Sequence, residues 1–251
     1  MIWLYFGCIS QKKILEFDPY YHLQVKIQVV DEDPVQSKNL PIEKEIFWKF
    51  SLQATEERKD GSWNYRIHLQ CLDQNVDMIA IEPSVAMKEH EGIWMTLRAF
   101  PHGEFLQQEG FEQSFGEPCM GEHLDAFFFL LFPNVPSIPT KEPVYRQSRW
   151  KSPLGKNQME HVMKSNWKIV EKNRKKQLFQ IGYEGEWSSS GMWWEYDITT
   201  NSTIQGNLLL DALGGIPYQN TLSANRDVCY EIRTQKYCQK QDVTYILTFV
   251  Q

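Results

Sequence analysis

The sequence predicts a mainly β protein, a curved antiparallel sheet, a pair of such sheets or a half-barrel, with one short helix near the middle. The first observation is alternation with period two. Trp63, Tyr65, Ile67, Leu69 and Cys71 share one parity, and Ser62, Asn64, Arg66, His68 and Gln70 share the other. Side chains in a strand point to opposite faces in turn, so this pattern is a sheet with one buried face and one wet face. The second observation is composition. Aromatic residues make up 14% of the chain and include nine Trp, and large aromatic side chains favour strands.

The elements follow in order. Tyr21, Leu23, Val25, Ile27 and Val29 form the first apolar stripe. A turn-rich stretch leads from Asp31 to Pro41, and Ile46, Trp48, Phe50, Leu52 and Ala54 form the second stripe. Asp60-Gly61 is a turn signal ahead of the strand at Trp63. Further strands are expected at 77–81 and 92–100, with a continuation at 103–107. The period then changes. Leu124, Phe127, Phe128 and Leu131 are spaced i, i+3, i+4, i+7, which reads as a helix within 121–132. Pro133, Pro136 and Pro139 stop it and form a connector.

The second half alternates again. Phe179, Ile181, Tyr183 and Trp187 form a stripe, Ser188 to Gly191 reads as a turn, and Met192, Trp194, Tyr196 and Ile198 form the next stripe. Ile204, Leu208, Leu210 and Ala212 follow, then a break at Leu213–Pro217. The chain closes with strands around 228–232 and 243–249. Short turns between consecutive strands imply antiparallel meander pairing. The organisation expected is a segment 1–19, a first sheet with the helix over 20–132, and a connector with a second sheet over 133–251, packed as one unit.

The net charge of -6 excludes the basic footprint of a nucleic-acid binder. The basic run 172–176 reads as a solvated hairpin tip. No stretch reaches the roughly 20 apolar residues that a membrane-spanning helix needs. Residues 1–10 are apolar and uncharged and contain Gly7-Cys8, as in a lipoprotein signal, where a small residue precedes the lipidated Cys. A basic start is missing, the apolar stretch is short, and Tyr5 stands where Leu is usual; a start further upstream would reconcile these points. The expectation is a protein of the cell envelope, exported or lipid-anchored through Cys8 and touching membrane only by that anchor. The alternative is a cytoplasmic chain whose first strand holds an incidental Cys. Of the five Cys, Cys229 and Cys238 are placed to bridge the arms of a C-terminal hairpin, and Cys71 reads equally well as a buried thiol.

A family resemblance rests on three features. Long antiparallel strands come first. A hinge, Phe132-Pro-Asn-Val-Pro136, precedes Trp150 and a second set of strands. That set carries the run Gly191-Met-Trp-Trp-Glu-Tyr-Asp197. Over residues 20 to 250 the chain resembles uncharacterised bacterial envelope lipoproteins built from two curved antiparallel sheets. It departs from them at Tyr145–Arg149, where a Gly is usual. The resemblance implies an envelope location and supplies no catalytic residues.

Standard catalytic signatures are absent: no Gly-x-Ser-x-Gly elbow, no His-Glu-x-x-His, no phosphate-binding loop. The chain implies no cofactor and no metal. His102 and Glu104, with Glu122, His123 and Asp125, are the nearest approach to a metal set, yet His123 and Asp125 would diverge on a helix. His22, His90 and His161 have no partner spacing, and the Ser188–Ser190 run has no local base. Trp187, Trp193 and Trp194 are candidate ligand-binding aromatics, since neighbouring Trp residues must face opposite sides.

Three functions are carried forward. The first is a non-catalytic envelope protein binding an apolar, lipid-like ligand in the concavity of its sheet. The second is a structural or assembly partner of another envelope protein, acting through a strand edge or the Trp surface. The third is a metal-dependent hydrolase using His102, Glu104, His123 and Asp125.

Overall fold

The structure, a computed structural model, describes residues 20–30, 42–75, 93–99, 105–109, 126–133, 135, 141–154, 157–173, 178–193, 195–211, 217–233 and 235–250. Cys8, the strand expected at 77–81 and the His102–Asp125 set lie outside the described residues.

Among the described residues there are eleven strands and one helix: β1 (Tyr20–Val30), β2 (Ile42–Glu57), β3 (Trp63–Asn75), β4 (Ile93–Ala99), β5 (Phe105–Glu109), α1 (Phe127–Leu131), β6 (Val144–Leu154), β7 (Asn157–Asn173), β8 (Leu178–Trp193), β9 (Tyr196–Asp211), β10 (Pro217–Ile232) and β11 (Gln235–Val250). The strands form a single sheet in the order β5-β4-β3-β2-β1-β11-β10-β9-β8-β7-β6. Each ladder is antiparallel. The two halves of the chain are one sheet, joined by the β1–β11 ladder from Tyr20↔Val250 to Val30↔Lys240.

Over the middle of the long strands one face of this sheet is buried. Leu23 pairs with Leu247, Ala224 with Val243 and Trp167 with Tyr183, and all six are buried. The other face is polar: Glu160, Lys164 and Lys168 on β7, Glu184 on β8, and Asn201, Thr203 and Gln205 on β9 are exposed.

Helix α1 shows that the sheet is curled with its buried face inward. Phe127 packs on Phe50 of β2 at 4.8 Å, Phe132 on Tyr65 of β3 at 5.2 Å, and Phe129 on Trp150 of β6 at 5.7 Å. β3 and β6 stand third and eleventh in the row. In a flat sheet, eight spacings of ~4.8 Å would hold them ~38 Å apart, whereas five helical residues span only ~7.5 Å. The ends of the row, β5 and β6, come within 8 Å between Cα atoms without pairing into a ladder, so the described sheet is curled and not closed.

α1 has no side-chain cap at Ala126, and five residues are too few to be stable by propensity alone. All five of its side chains are buried, at about 2 kcal/mol each, so packing is what holds it. One contact fixes its position: Tyr183 Oη donates to Asn220 Oδ1 (2.9 Å), and Asn220 Nδ2 donates to Leu130 O (3.0 Å). Gly206 makes room for this arrangement, because a Cβ there would collide with the Tyr183 ring and hydroxyl.

Two expectations fail. Ser188 to Gly191 is strand, not turn, and alternates outward, inward, outward along β8. The expected stripe Met192–Ile198 is divided by a hairpin, since β8 ends at Trp193 and β9 begins at Tyr196. Ser and Gly clusters ordinarily mark turns; here the inward Ser189 is satisfied by a side chain across the sheet. The basic run begins on β7, where Lys172 and Asn173 are exposed; 174–177 lie outside the described residues.

Candidate ligand site inside the curled sheet

Moving along β10 away from α1, the buried face changes character. Asn220 contacts the helix. Leu222 and Ala224 are apolar, and Arg226 lies six residues from Asn220, ~20 Å along the strand. Register carries this change across the sheet. One transverse row is small and aliphatic, with Ile27, Val243, Ala224 and Ile204 as successive neighbours. The next row is polar, with Gln241, Arg226 and Ser202 ahead of Trp187. A third brings Thr200, Ser189 and His161 together. All these polar side chains are at most 7% exposed.

His161 is the centre of the polar band. Its Nε2 lies 2.7 Å from Ser152 Oγ and its Nδ1 2.8 Å from Ser189 Oγ. The indole N–H of Trp187 points at the same Nδ1, at 3.2 Å. An indole nitrogen can only donate, which makes Nδ1 the acceptor. The ring proton therefore sits on Nε2 and is donated to Ser152, while the Ser189 hydroxyl donates to Nδ1. The imidazole stacks on Trp150 at 5.0 Å with an interplanar angle of 15°. Burial, with the nearby Arg226 charge second, pushes the His161 pKa down to about 3, so the ring is neutral at physiological pH.

The geometry brings a hydroxyl to a histidine, but a general base works best with a pKa near the working pH. An imidazole held at about 3 is a weak base, and both of its nitrogens are engaged by serine hydroxyls.

Arg226 is the one ionised side chain among the described buried residues. Its Nη2 donates to Tyr245 Oη at 2.7 Å, and its guanidinium lies 4.8 Å from the Trp187 ring centroid. A desolvated cation–π contact of this kind contributes about 2 kcal/mol toward the cost of burying the charge.

Beyond the band, Met159, Ile198 and Val228 form a small separate apolar cluster with Tyr230 packed against it. Met192, Tyr196 and Tyr237 are exposed at the same end, and a Cys229–Cys238 disulfide links β10 to β11 there.

Of the three candidate aromatics, Trp187 is buried in the band at 1% exposure. Trp193 is the last residue of β8, opposite Tyr196, and Trp194 lies outside the described residues. The three do not form one described platform. No group of three or more His, Cys, Asp or Glu that would hold a metal occurs among the described residues. Sequence reasoning missed His161, Ser152, Ser189 and Arg226. Continuing the Tyr183–Trp187 parity through the serines would have placed Ser189 inward.

No family model matches the chain, and no curated protein matches it. Among solved structures it is similar to two engineered variants of the Rh. blastica porin. One is 9% identical over 92% of this chain and 99% of that chain, with a TM-score of 0.25. The other is 8% identical over 93% and 99%, with a TM-score of 0.24. Such scores reflect shared antiparallel strands and carry no function across. The polarity of the described strands also runs opposite to that of a membrane barrel, which turns an apolar band outward. No helix among the described residues is long and apolar enough to cross a membrane.

Proposed function

We propose that this protein is a non-catalytic binding protein that holds an apolar, lipid-like ligand in the concavity of its sheet. The observation that carries this reading is the layering of the buried face. Aromatic side chains and α1 fill one end. A small aliphatic row, Ile27–Val243–Ala224–Ile204, follows, and a polar band lies beyond it. Eight strands already enclose enough room for a small ligand, and this sheet has eleven. Tyr196 and Tyr237, exposed at the end away from α1 and on the parity of the buried face, offer an apolar approach. The low basicity of His161 supports binding over catalysis. The Cys229–Cys238 disulfide supports an oxidising compartment, which an envelope location provides.

The test is titration with N-phenyl-naphthylamine, an uncharged apolar probe. Saturable binding with quenching of tryptophan emission is expected. Ala224→Trp, which fills the small row, should abolish it while far-ultraviolet circular dichroism remains that of the sheet. Absence of saturable binding by the folded wild-type protein would overturn the reading.

A further inference from the structure

We infer that the Cys229–Cys238 bridge is a reversible thiol–disulfide exchange site, selective for an external dithiol over a monothiol and opened without unfolding of the sheet. This is independent of the binding function proposed above.

Three observations support it. First, the bridge lies on the wet face: Val228 beside it is buried inward, Asp227 on the same parity as Cys229 is exposed, and Cys238 is itself exposed. An outside thiolate therefore reaches the Cys238 Sγ while the strands stay paired. Second, the bond is not what joins β10 to β11, because their ladder runs from Gln219↔Thr248 to Ile232↔Gln235. With a sequence separation of 9 the bridge closes a short loop, the placement that adds least to stability. What it pins is the hairpin tip. Only Tyr230↔Tyr237, Glu231↔Lys236 and Ile232↔Gln235 lie beyond it. The two connecting residues are Arg233 and Thr234, where tight hairpins favour Asn, Asp or Gly. Arg233 takes a left-handed φ of 56°, which is uncommon for such a residue. With the staple cut, this tip frays and loosens Tyr230 from the Met159–Ile198–Val228 cluster.

Third, Cys229 and Cys238 stand directly opposite in register, which decides the class of reductant. Attack of a thiolate on Cys238 Sγ breaks the S–S bond, forms a mixed disulfide and expels the Cys229 thiolate. The ladder from Val228↔Gln239 onward keeps that thiolate against the mixed disulfide, at an effective concentration far above that of an external thiol. It attacks Cys238 Sγ in return and expels a monothiol unchanged. A dithiol escapes this reversal. Its second thiolate attacks its own bound sulfur, expels the Cys238 thiolate and leaves as a disulfide. Two electrons pass to the protein, and the two cysteine thiolates take up the two protons that the dithiol gives up.

The experiment treats the folded, disulfide-intact chain at neutral pH with dithiothreitol or with glutathione at equal thiol concentration. Free thiols are trapped with iodoacetamide, and the peptides holding Cys229 and Cys238 are mapped by mass. Dithiothreitol should give roughly tenfold more of the doubly alkylated form than glutathione. Amide exchange should quicken over 230–237 while far-ultraviolet circular dichroism remains that of the sheet. Cys229→Ser removes the returning thiolate, so with glutathione disulfide this variant should hold a stable glutathione adduct at Cys238. The reduced wild type, treated alike, should instead reform the bridge. Should Cys229→Ser fail to fold, the comparison of the two reductants on the wild type still decides. Equal reduction by both thiols would overturn the dithiol selectivity. Reduction by dithiothreitol only in urea, or loss of the sheet on reduction, would mark the bond as structural and overturn the exchange site.

Discussion

Replacing His161 with Gln should flatten the acid sensitivity of this fold. The neutral imidazole is native, hydrogen-bonded to Ser152 and Ser189 and stacked on Trp150. In the unfolded chain it titrates at its ordinary 6.5; in the folded chain it titrates at about 3. Between those values the unfolded state binds the extra proton, so stability rises with pH through that window. The stabilisation is fully present above 6.5 and is lost as pH falls toward about 3. At 1.36 kcal/mol per unit, the loss reaches about 3 kcal/mol by pH 4. Gln retains a donor and an acceptor but does not titrate; its imperfect fit should cost about 1–3 kcal/mol at pH 7. The assay is urea unfolding of wild type and His161→Gln at neutral pH and at pH 4. Carboxylates elsewhere protonate in both proteins and cancel in the difference. The wild type should lose about 3 kcal/mol more than the variant between the two conditions. Parallel losses would refute the buried, neutral assignment and the band built around it.

Other substitutions test the α1 end. Phe129→Ala removes a buried ring packed on Trp150, Trp167 and Tyr183 and should cost about 3–5 kcal/mol, read from the urea midpoint. Asn220→Ala leaves the Leu130 carbonyl without its donor; it should cost about 2 kcal/mol and speed amide exchange at Leu130 and Phe132. Gly206→Ala drives a methyl into Tyr183 and should cost about 1–3 kcal/mol by thermal unfolding. A Gly206→Ala protein as stable as wild type would show that Tyr183 does not lie across that glycine.

The first three strands were legible because every inward position from Tyr21 to Val25 and from Trp63 to Ile67 is apolar, so parity alone marks the core face. β7 was not, because its inward positions Met159, His161, Met163, Ser165 and Trp167 mix polar with apolar residues and blur the stripe. The same blurring hid the site. His161 finds Ser152 nine residues away and Ser189 twenty-eight away, contacts set by ladder register and not by local spacing. Arg226 is invisible to a hydrophobic pattern, since a buried cation looks like a surface one until the strands on both sides are paired. The helix was signalled by Phe127, Phe128 and Leu131, but its position inside the curled sheet depends on Asn220, ninety residues from Leu130.

The central claim is that the concavity holds an apolar ligand. Native mass spectrometry of the protein purified from its own cells tests it most directly, with a denatured sample of the same preparation alongside. The account predicts a native mass above that of the chain, with the excess released on denaturation as an apolar small molecule. A native mass equal to that of the denatured chain, in protein that also fails to take up N-phenyl-naphthylamine, would contradict it.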